Sequence, residues 1–187
     1  SAGQRFRGGV PVALRILAQA GPATALQYLL PARGQTGMSE NRQHLEEQCS
    51  RWVSLFSELE VNGVPSLEQL SSIAIDDVRF CDPFNDVHGV ESLQHVFEHT
   101  LRHVRSVSFS VHETAWTGRT AYVRWTMTGN VKVIGEWRVE GVSEIIFADD
   151  GKITSHTDHW DAATQFYARL PVIGWLLRRV GASARVS

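Results

Sequence analysis

The chain of 187 residues has only two cysteines, no long apolar run and a net charge of −2. Cys49 and Cys81 lack metal-ligand spacing and are too few for a disulfide framework, which favours a reduced, cytoplasmic setting. No apolar run approaches the length that spans a bilayer. The near-neutral charge gives no sign of nucleic-acid binding. No glycine-rich phosphate loop and no nucleophile elbow is present, so nucleotide-dependent and serine-hydrolase chemistry are disfavoured.

Acidic residues are confined to the middle of the chain. Residues 1–39 and the residues after Asp161 each carry four arginines and no acid, whereas the segment between them holds all 20 acidic residues. The length favours one globular domain. We predict an extension over residues 1–37, one domain over 38–170 and an apolar, basic tail over 171–187. The extension is interpreted as a helical appendage, an upstream addition or a lead similar to an organelle transit peptide.

Hydrophobic spacing predicts three helices in the first part of the domain. The first is expected to run from an N-cap at Ser39 to about Glu60, and a short second helix over residues 67–72 follows. The third is predicted from Val90 to about Val104, with one apolar stripe that faces the core.

Alternating side chains predict strands in the rest of the domain. Residues 73–82 are the first strand, and four antiparallel strands follow the third helix, the last two over 136–147 and 152–160. A long curved sheet with helices on one face encloses a cleft. The predicted fold is therefore α+β: a cone-shaped curved antiparallel sheet with helices packed on its concave face.

Two runs of residues resemble a known superfamily over roughly residues 40–175. They are CDPFNDVHGVESLQHVFEH and FADDGKITSHTDHWDAATQFYARLPVIGW. Both are similar to the SnoaL-like, nuclear-transport-factor-like superfamily. That resemblance implies the cone fold, and an activity drawn from isomerases, cyclases, dehydratases, epoxide hydrolases or non-catalytic binders.

The resemblance also implies roles for particular residues. Asp82 before Pro83 stands where ketosteroid isomerases have a general base, and Trp52 and Ser143 stand near the positions of their oxyanion-binding residues. Asp158 matches the catalytic Asp of limonene-epoxide hydrolases, whose partner Arg and Asp have no counterpart here. His156 with Asp158 is similar to the acid/base pair of SnoaL-type cyclases.

Strand alternation places the candidate site residues in the cleft, and each has a structural alternative. The predicted catalytic residues are Asp82, Asp158 and His156, and the predicted substrate-binding residues are Trp52, Phe80, Trp125, Ser143 and Trp160. A carboxylate in an apolar cleft suits proton transfer. Asp82 is the leading candidate base, with Asp158 and His156 as its acid/base partner or orienting residue. The structural alternatives are a cap of the Asp-Pro turn for Asp82, a buried ion pair for Asp158 and a hydrogen-bonded place in the core for His156.

His95, His99 and His103 recur at one-turn spacing on the third helix, away from its apolar stripe. We interpret them as a solvated face and predict no metal and no cofactor. Asp161 is predicted to cap a C-terminal helix. The tail around Trp175 is expected to pack on its own domain or a second copy, or to lie on a membrane surface. A homodimer is expected from the exposed sheet face.

Two functions follow from these residues. The first is cofactor-free acid/base chemistry on a small hydrophobic molecule, as an isomerase, cyclase, dehydratase or epoxide hydrolase. The second is a non-catalytic module that holds an apolar ligand or a partner in the same cleft. The sequence leaves open whether the protein is an enzyme.

Overall fold

A computed structural model of the protein describes residues 35–183. Within this range, residues 42–183 belong to one compact unit. Most of the predicted N-terminal extension lies outside the described residues, as do the last four residues of the tail. None of the described helices is both long enough and apolar enough to cross a membrane.

Helices lie before the first strand, between the second and third strands, and at the end of the described part of the chain. The helices are α1 (Gln35–Ser57), α2 (Leu59–Asn62), α3 (Leu67–Ile73), α4 (Val90–His103), α5 (Ala162–Gln165), a 3₁₀ helix (Tyr167–Arg169) and α6 (Pro171–Ser183). The strands are β1 (Ala74–Cys81), β2 (Asp86–His88), β3 (Val104–Thr117), β4 (Thr120–Val131), β5 (Gly135–Phe147) and β6 (Ile153–His159).

The first helix begins earlier than its predicted cap. Residue Gln35 is already helical, so Ser39 lies inside α1, and the prediction of an N-cap at Ser39 is wrong. Ser followed by acids is typical of a helix start, but the same residues are tolerated in a helix interior. The helix ends at Ser57, and a separate turn, α2, buries Leu59.

The six strands form one curved, open sheet in the order β2-β1-β6-β5-β4-β3. Strands β3, β4, β5 and β6 pair with one another in antiparallel fashion, as predicted. The sheet is nevertheless mixed, because β1 pairs with β6 in parallel. Strand β2, a three-residue partner of β1, lies in the segment that was predicted as a loop. Side-chain alternation reports which face is buried and carries no information on strand direction, so this pairing was not foreseen.

One face of the sheet packs against the helices and forms the core. In β5 the buried side chains are Trp137, Val139, Ser143, Ile145 and Phe147, the alternation expected from the sequence. Helix α4 buries Val90, Leu93 and Phe97, which also confirms its predicted stripe. In α1, Cys49 is buried, and desolvation together with the charge of Glu46 raises the pKa of its thiol to about 12.

Asp161 caps α5 as predicted. Its carboxylate accepts hydrogen bonds from the backbone N–H and the hydroxyl of Thr164. The hydroxyl bond, followed by the backbone bond, lowers the pKa of Asp161 below its ordinary value of 3.8. The cap positions the turn that leads from β6 back over the sheet.

We predict that Asp161→Ala lowers the free energy of unfolding at pH 7 by about 0.5–1 kcal/mol, the usual cost of a lost cap. Because the pKa is lower in the folded state, this stabilisation is present above the ordinary carboxyl pKa and disappears as the pH falls through the folded value. Asp161→Asn is the matched control, since its amide oxygen still accepts the backbone bond but does not titrate. Urea unfolding of the three proteins from pH 7 to pH 3.5 measures the effect. A gap between wild type and Asp161→Ala that stays constant over this range would contradict it.

Candidate functional site

A cavity of about 460 Å³ lies between the sheet and the helices. Its wall is mostly aromatic and aliphatic. The lining residues are Phe56, Leu59, Phe80, Asp82, Phe84, Asn85, Val96, Phe97, His99, Thr100, His103, Val104, Phe109, Trp125, Met127, Val131, Trp137, Val139, Asp158, Trp160, Phe166 and Tyr167. Neither lysine nor arginine occurs among them. A volume of several hundred Å³ with few polar groups is typical of a small-molecule site.

Asp158 is one of the two carboxylates on this wall. It lies on β6 directly opposite Ser143 on β5. Its Oδ1 accepts a hydrogen bond from His156 Nε2 at 2.8 Å and another from Ser143 Oγ at 2.5 Å. Among the described residues, none donates a hydrogen bond to Oδ2. One oxygen is therefore held by the protein, and the other remains available as an acceptor.

The tautomer of His156 follows from its second partner. The ring is buried, and its Nδ1 lies 2.9 Å from the indole nitrogen of Trp52 on α1. An indole N–H can only donate, so Nδ1 must be the acceptor and carry no proton. The proton of the neutral ring is then on Nε2, where it is donated to Asp158.

A second donor reaches Asp158 through Ser143. The indole N–H of Trp125 donates to Ser143 Oγ at 2.8 Å, which directs the serine hydroxyl proton toward Asp158. This approach depends on Gly141, since a Cβ there would lie 2.6 Å from the Trp125 ring. His156 and Ser143, each of which accepts a hydrogen bond from a tryptophan, thus both donate to one carboxylate oxygen, an arrangement that suits an ionised acceptor.

A smaller chamber of about 30 Å³ adjoins this network. Ser143, His156 and Asp158 supply its polar wall, and the remainder is apolar. The volume is enough for one water molecule, which needs polar partners of this kind.

Asp82 lies on the cavity wall just past the end of β1. Its Oδ1 accepts backbone hydrogen bonds from Phe84 and Asn85, both at 2.7 Å, and the Asn85 amide bonds both oxygens at 3.0 Å. This is the turn cap that the sequence offered as the alternative role. The carboxylate thereby positions Phe84 at the edge of the cavity.

Five rings form an aromatic cluster on one side of the cavity: Phe84, Trp137, Trp160, Phe166 and Tyr167. Their contacts have centroid distances of 5.1–6.2 Å and interplanar angles of 61–84°. Edge-to-face packing of this kind orders each ring through its neighbours. The cluster joins the Asp82 turn, β5, β6 and the segment after α5.

The structure separates the predicted site residues into three groups. Phe80, Trp125 and Trp160 line the cavity together with Asp82 and Asp158. Ser143 and His156 lie behind the wall and line the smaller chamber. Trp52 lies outside both linings, fully buried in the core, and contacts the site through His156.

The three regularly spaced histidines of α4 also differ in whether they line the cavity. His99 and His103 are exposed on the rim of the cavity and stack with ring centroids 4.0 Å apart. His95 is hydrogen-bonded to Glu98 away from the cavity. In residues 35–183, no three His, Cys, Asp or Glu side chains are placed to hold a metal ion.

Several lining residues were missed at the sequence level. Trp137 shares the inward face of β5 with Val139 and Ser143, so strand alternation alone could have identified it. Phe84, Phe166 and Tyr167 lie outside the strands, where no periodicity indicates which way a side chain points.

Comparison with known protein families identifies the family of this chain. The profile of the SnoaL-like domain matches residues 55–156, more than half of the chain. The chain therefore belongs to the SnoaL-like domain family. No curated protein matches the sequence.

Solved structures with the same fold are distant in sequence. A hypothetical protein with a ketosteroid isomerase-like fold from Catenulispora acidiphila, in complex with trimethylamine, has 16% identity and a TM-score of 0.54, covering 66% of this chain and 95% of its own. A SnoaL-like polyketide cyclase from a Jannaschia species has 16% identity and a TM-score of 0.52, with 62% and 86% covered. An LEH-like epoxide hydrolase from M. tuberculosis has 15% identity and a TM-score of 0.52, with 76% of this chain and 96% of its own covered. At these identities the likeness shows the fold alone.

Proposed function

We propose that this SnoaL-like protein binds a small, largely apolar molecule in the cavity and transfers a proton on it without a cofactor, with Asp158 as the general base. One observation carries the proposal. Asp158 has one oxygen held by two donors, while Oδ2 accepts no hydrogen bond from the described residues. A carboxylate that is oriented in this way on an apolar cavity wall is suited to general base catalysis.

His156 acts in this proposal as a positioning residue. Its Nε2–H orients Asp158, and Trp52 occupies the other ring nitrogen. A ring with both nitrogens engaged has no free position from which to exchange a proton with a ligand. Proton transfer through His156, the expectation from its residue type, would require the hydrogen bond from Trp52 to break.

Asp82 is the second candidate base. It lines the same cavity, and the resemblance to ketosteroid isomerases favours it. Its oxygens, however, accept four hydrogen bonds within the turn. Withdrawing the carboxylate toward a ligand would release the backbone N–H groups of Phe84 and Asn85, so we rank Asp158 above it.

A base positioned in this way serves isomerisation, cyclisation, dehydration or epoxide opening, since each uses a positioned proton-transfer group. The alternative function is non-catalytic binding of an apolar ligand, which needs the cavity and not the carboxylate. Catalysis by Asp158 is the feature that distinguishes the two.

A chromogenic proton-abstraction reaction tests the base directly. In 5-nitrobenzisoxazole a base removes the proton on the ring carbon next to nitrogen, the N–O bond breaks, and its electron pair leaves on oxygen as a coloured phenolate. We predict that the wild-type protein accelerates this reaction beyond an equal concentration of acetate, and that Asp158→Asn lowers kcat/KM by about 100-fold or more. The amide introduced by this substitution keeps an oxygen that accepts from His156 and Ser143, so circular dichroism should show an unchanged fold.

Asp82→Asn is the matched control, because it makes the same change on the same cavity and its amide oxygen still caps the turn. We expect it to retain a rate close to wild type. A loss of activity in Asp82→Asn with none in Asp158→Asn would reverse the assignment of the base. A wild-type rate no faster than acetate would contradict base catalysis and favour the binding function.

We also propose that helix α6 associates with an anionic membrane surface, and that a second copy packs on the outer face of the sheet. The support for the first is an exposed apolar side on α6, where Val172 is 80%, Trp175 56% and Leu176 55% exposed. The residues after Asp161 carry four arginines and no acid, which complements anionic lipid. The outer sheet face exposes Tyr122 and Ile146.

Vesicle flotation tests the membrane association. We predict that the full chain floats with vesicles containing phosphatidylserine, and that Trp175→Glu abolishes flotation because it places a charge on the apolar side. Val61→Glu is the control, since Val61 is 86% exposed on a different helix. Equal flotation of wild type and Trp175→Glu would rule out α6 as the contact.

A further inference from the structure

We infer that the molecule bound in the cavity carries a cationic nitrogen, such as an alkylated amine or a quaternary ammonium group. The inference rests on the proposed function only in that the cavity must bind a small molecule. It concerns the chemical class of that molecule and is independent of which carboxylate performs catalysis.

The first argument is the charge of the cavity wall. The carboxylates of Asp82 and Asp158 line it, and no lysine or arginine lies among the lining residues to offset them. The hydrogen bonds that Asp82 accepts spread its negative charge over the turn without neutralising it. Charges of one sign in a cleft with apolar walls concentrate their field inside it. An anionic ligand, such as a phosphate or a carboxylate, would meet this field with no lysine or arginine as a partner.

The second argument is the aromatic cluster. Trp137 and Trp160 contact each other with centroids 5.9 Å apart, and Phe166 contacts Trp137 at 5.3 Å. The face of an aromatic ring carries negative charge density and attracts cations, with indole the strongest of the natural rings. Because neighbouring rings meet edge to face, they hold one another in place as a preformed wall.

The two arguments point to the same ligand class. A neutral apolar molecule would bury its surface against the rings and gain nothing from the carboxylates. A molecule with an apolar body and an ammonium group uses both parts of the wall. His99 and His103 are the other titratable side chains on the lining besides Tyr167, and they lie on the exposed rim. Imidazole side chains are ordinarily neutral at pH 8.5, so this pH isolates the contribution of the carboxylates and rings.

Two probes of the same shape test the inference by isothermal titration calorimetry at pH 8.5. Phenyltrimethylammonium and tert-butylbenzene differ only in a positively charged nitrogen in place of a carbon. We predict that the cation has the lower Kd, although removing its charge from water disfavours its binding. We also predict that benzenesulfonate, which carries a negative charge, shows no binding. A neutral probe that binds as tightly as the cation, or more tightly, overturns the inference and leaves the proposed function intact. If neither probe binds, both the inference and the proposed function fail.

Trp160→Leu identifies the rings as the source of the preference. Trp160 lines the cavity, and its replacement keeps an apolar side chain while removing one ring face. The ratio of the two Kd values should fall at least about threefold in this variant, within the usual strength of one cation–π contact. Trp175→Leu is the matched control, because Trp175 is exposed on α6 and does not line the cavity. A ratio that both substitutions leave unchanged would contradict the assignment of the site to the aromatic cluster.

Discussion

The hydrogen bond from Trp52 to His156 sets the direction of the polar contacts around Asp158. An indole nitrogen has a proton to donate and no lone pair to offer, so the bond can run in one sense only. It therefore decides the tautomer of the imidazole, and with it which ring nitrogen meets the carboxylate. The bond also connects α1 to β6 across 104 positions of the chain, inside the buried core. The packing of α1 on the sheet thus determines which ring nitrogen of His156 carries the proton.

A second chain of contacts reaches the same carboxylate through the neighbouring strands of the sheet. Trp125 directs the hydroxyl of Ser143, and the ring can reach it because Gly141 has no side chain. Buried polar groups are costly unless they are hydrogen-bonded, so both series of hydrogen bonds are also needed for the stability of the core. The result is a carboxylate whose Oδ1 is held by buried groups, while its Oδ2 accepts no hydrogen bond from the described residues. In the proposed function, this acceptor suits Asp158 to act as a base and not only as the partner in a buried ion pair.

Sequence patterns predicted those parts of the fold that depend on local periodicity. The stripe of α4, the inward face of β5 and the cap at Asp161 each follow from spacing within a few residues. The parallel pairing of β1 with β6 and the short strand β2 depend on contacts between distant segments, which alternation does not encode.

In the candidate site, too, local periodicity was predictable and contacts between distant segments were not. Alternation brought Asp158 and His156 to one face, but the contact of Trp52 with His156 needed the packing of a helix on the sheet. The turn cap was one of the two roles expected for Asp82, and the contacts that form it come from Asn85 and the backbone of the turn. The aromatic cluster combines Trp137 on β5 and Trp160 just after β6 with Phe84, Phe166 and Tyr167, which lie in short segments without strand or long-helix periodicity.

Ring-nitrogen NMR of the histidines tests this account most directly. In uniformly ¹⁵N-labelled protein, two-bond proton–nitrogen correlations distinguish a protonated from an unprotonated ring nitrogen for each of the eight histidines. The signal of His156 is identified by its loss in His156→Asn. At pH 7 we expect an unprotonated Nδ1 and a protonated Nε2. A proton on Nδ1, in either the other neutral tautomer or the charged ring, would contradict the hydrogen bond from Trp52 and the orientation of Asp158 that depends on it.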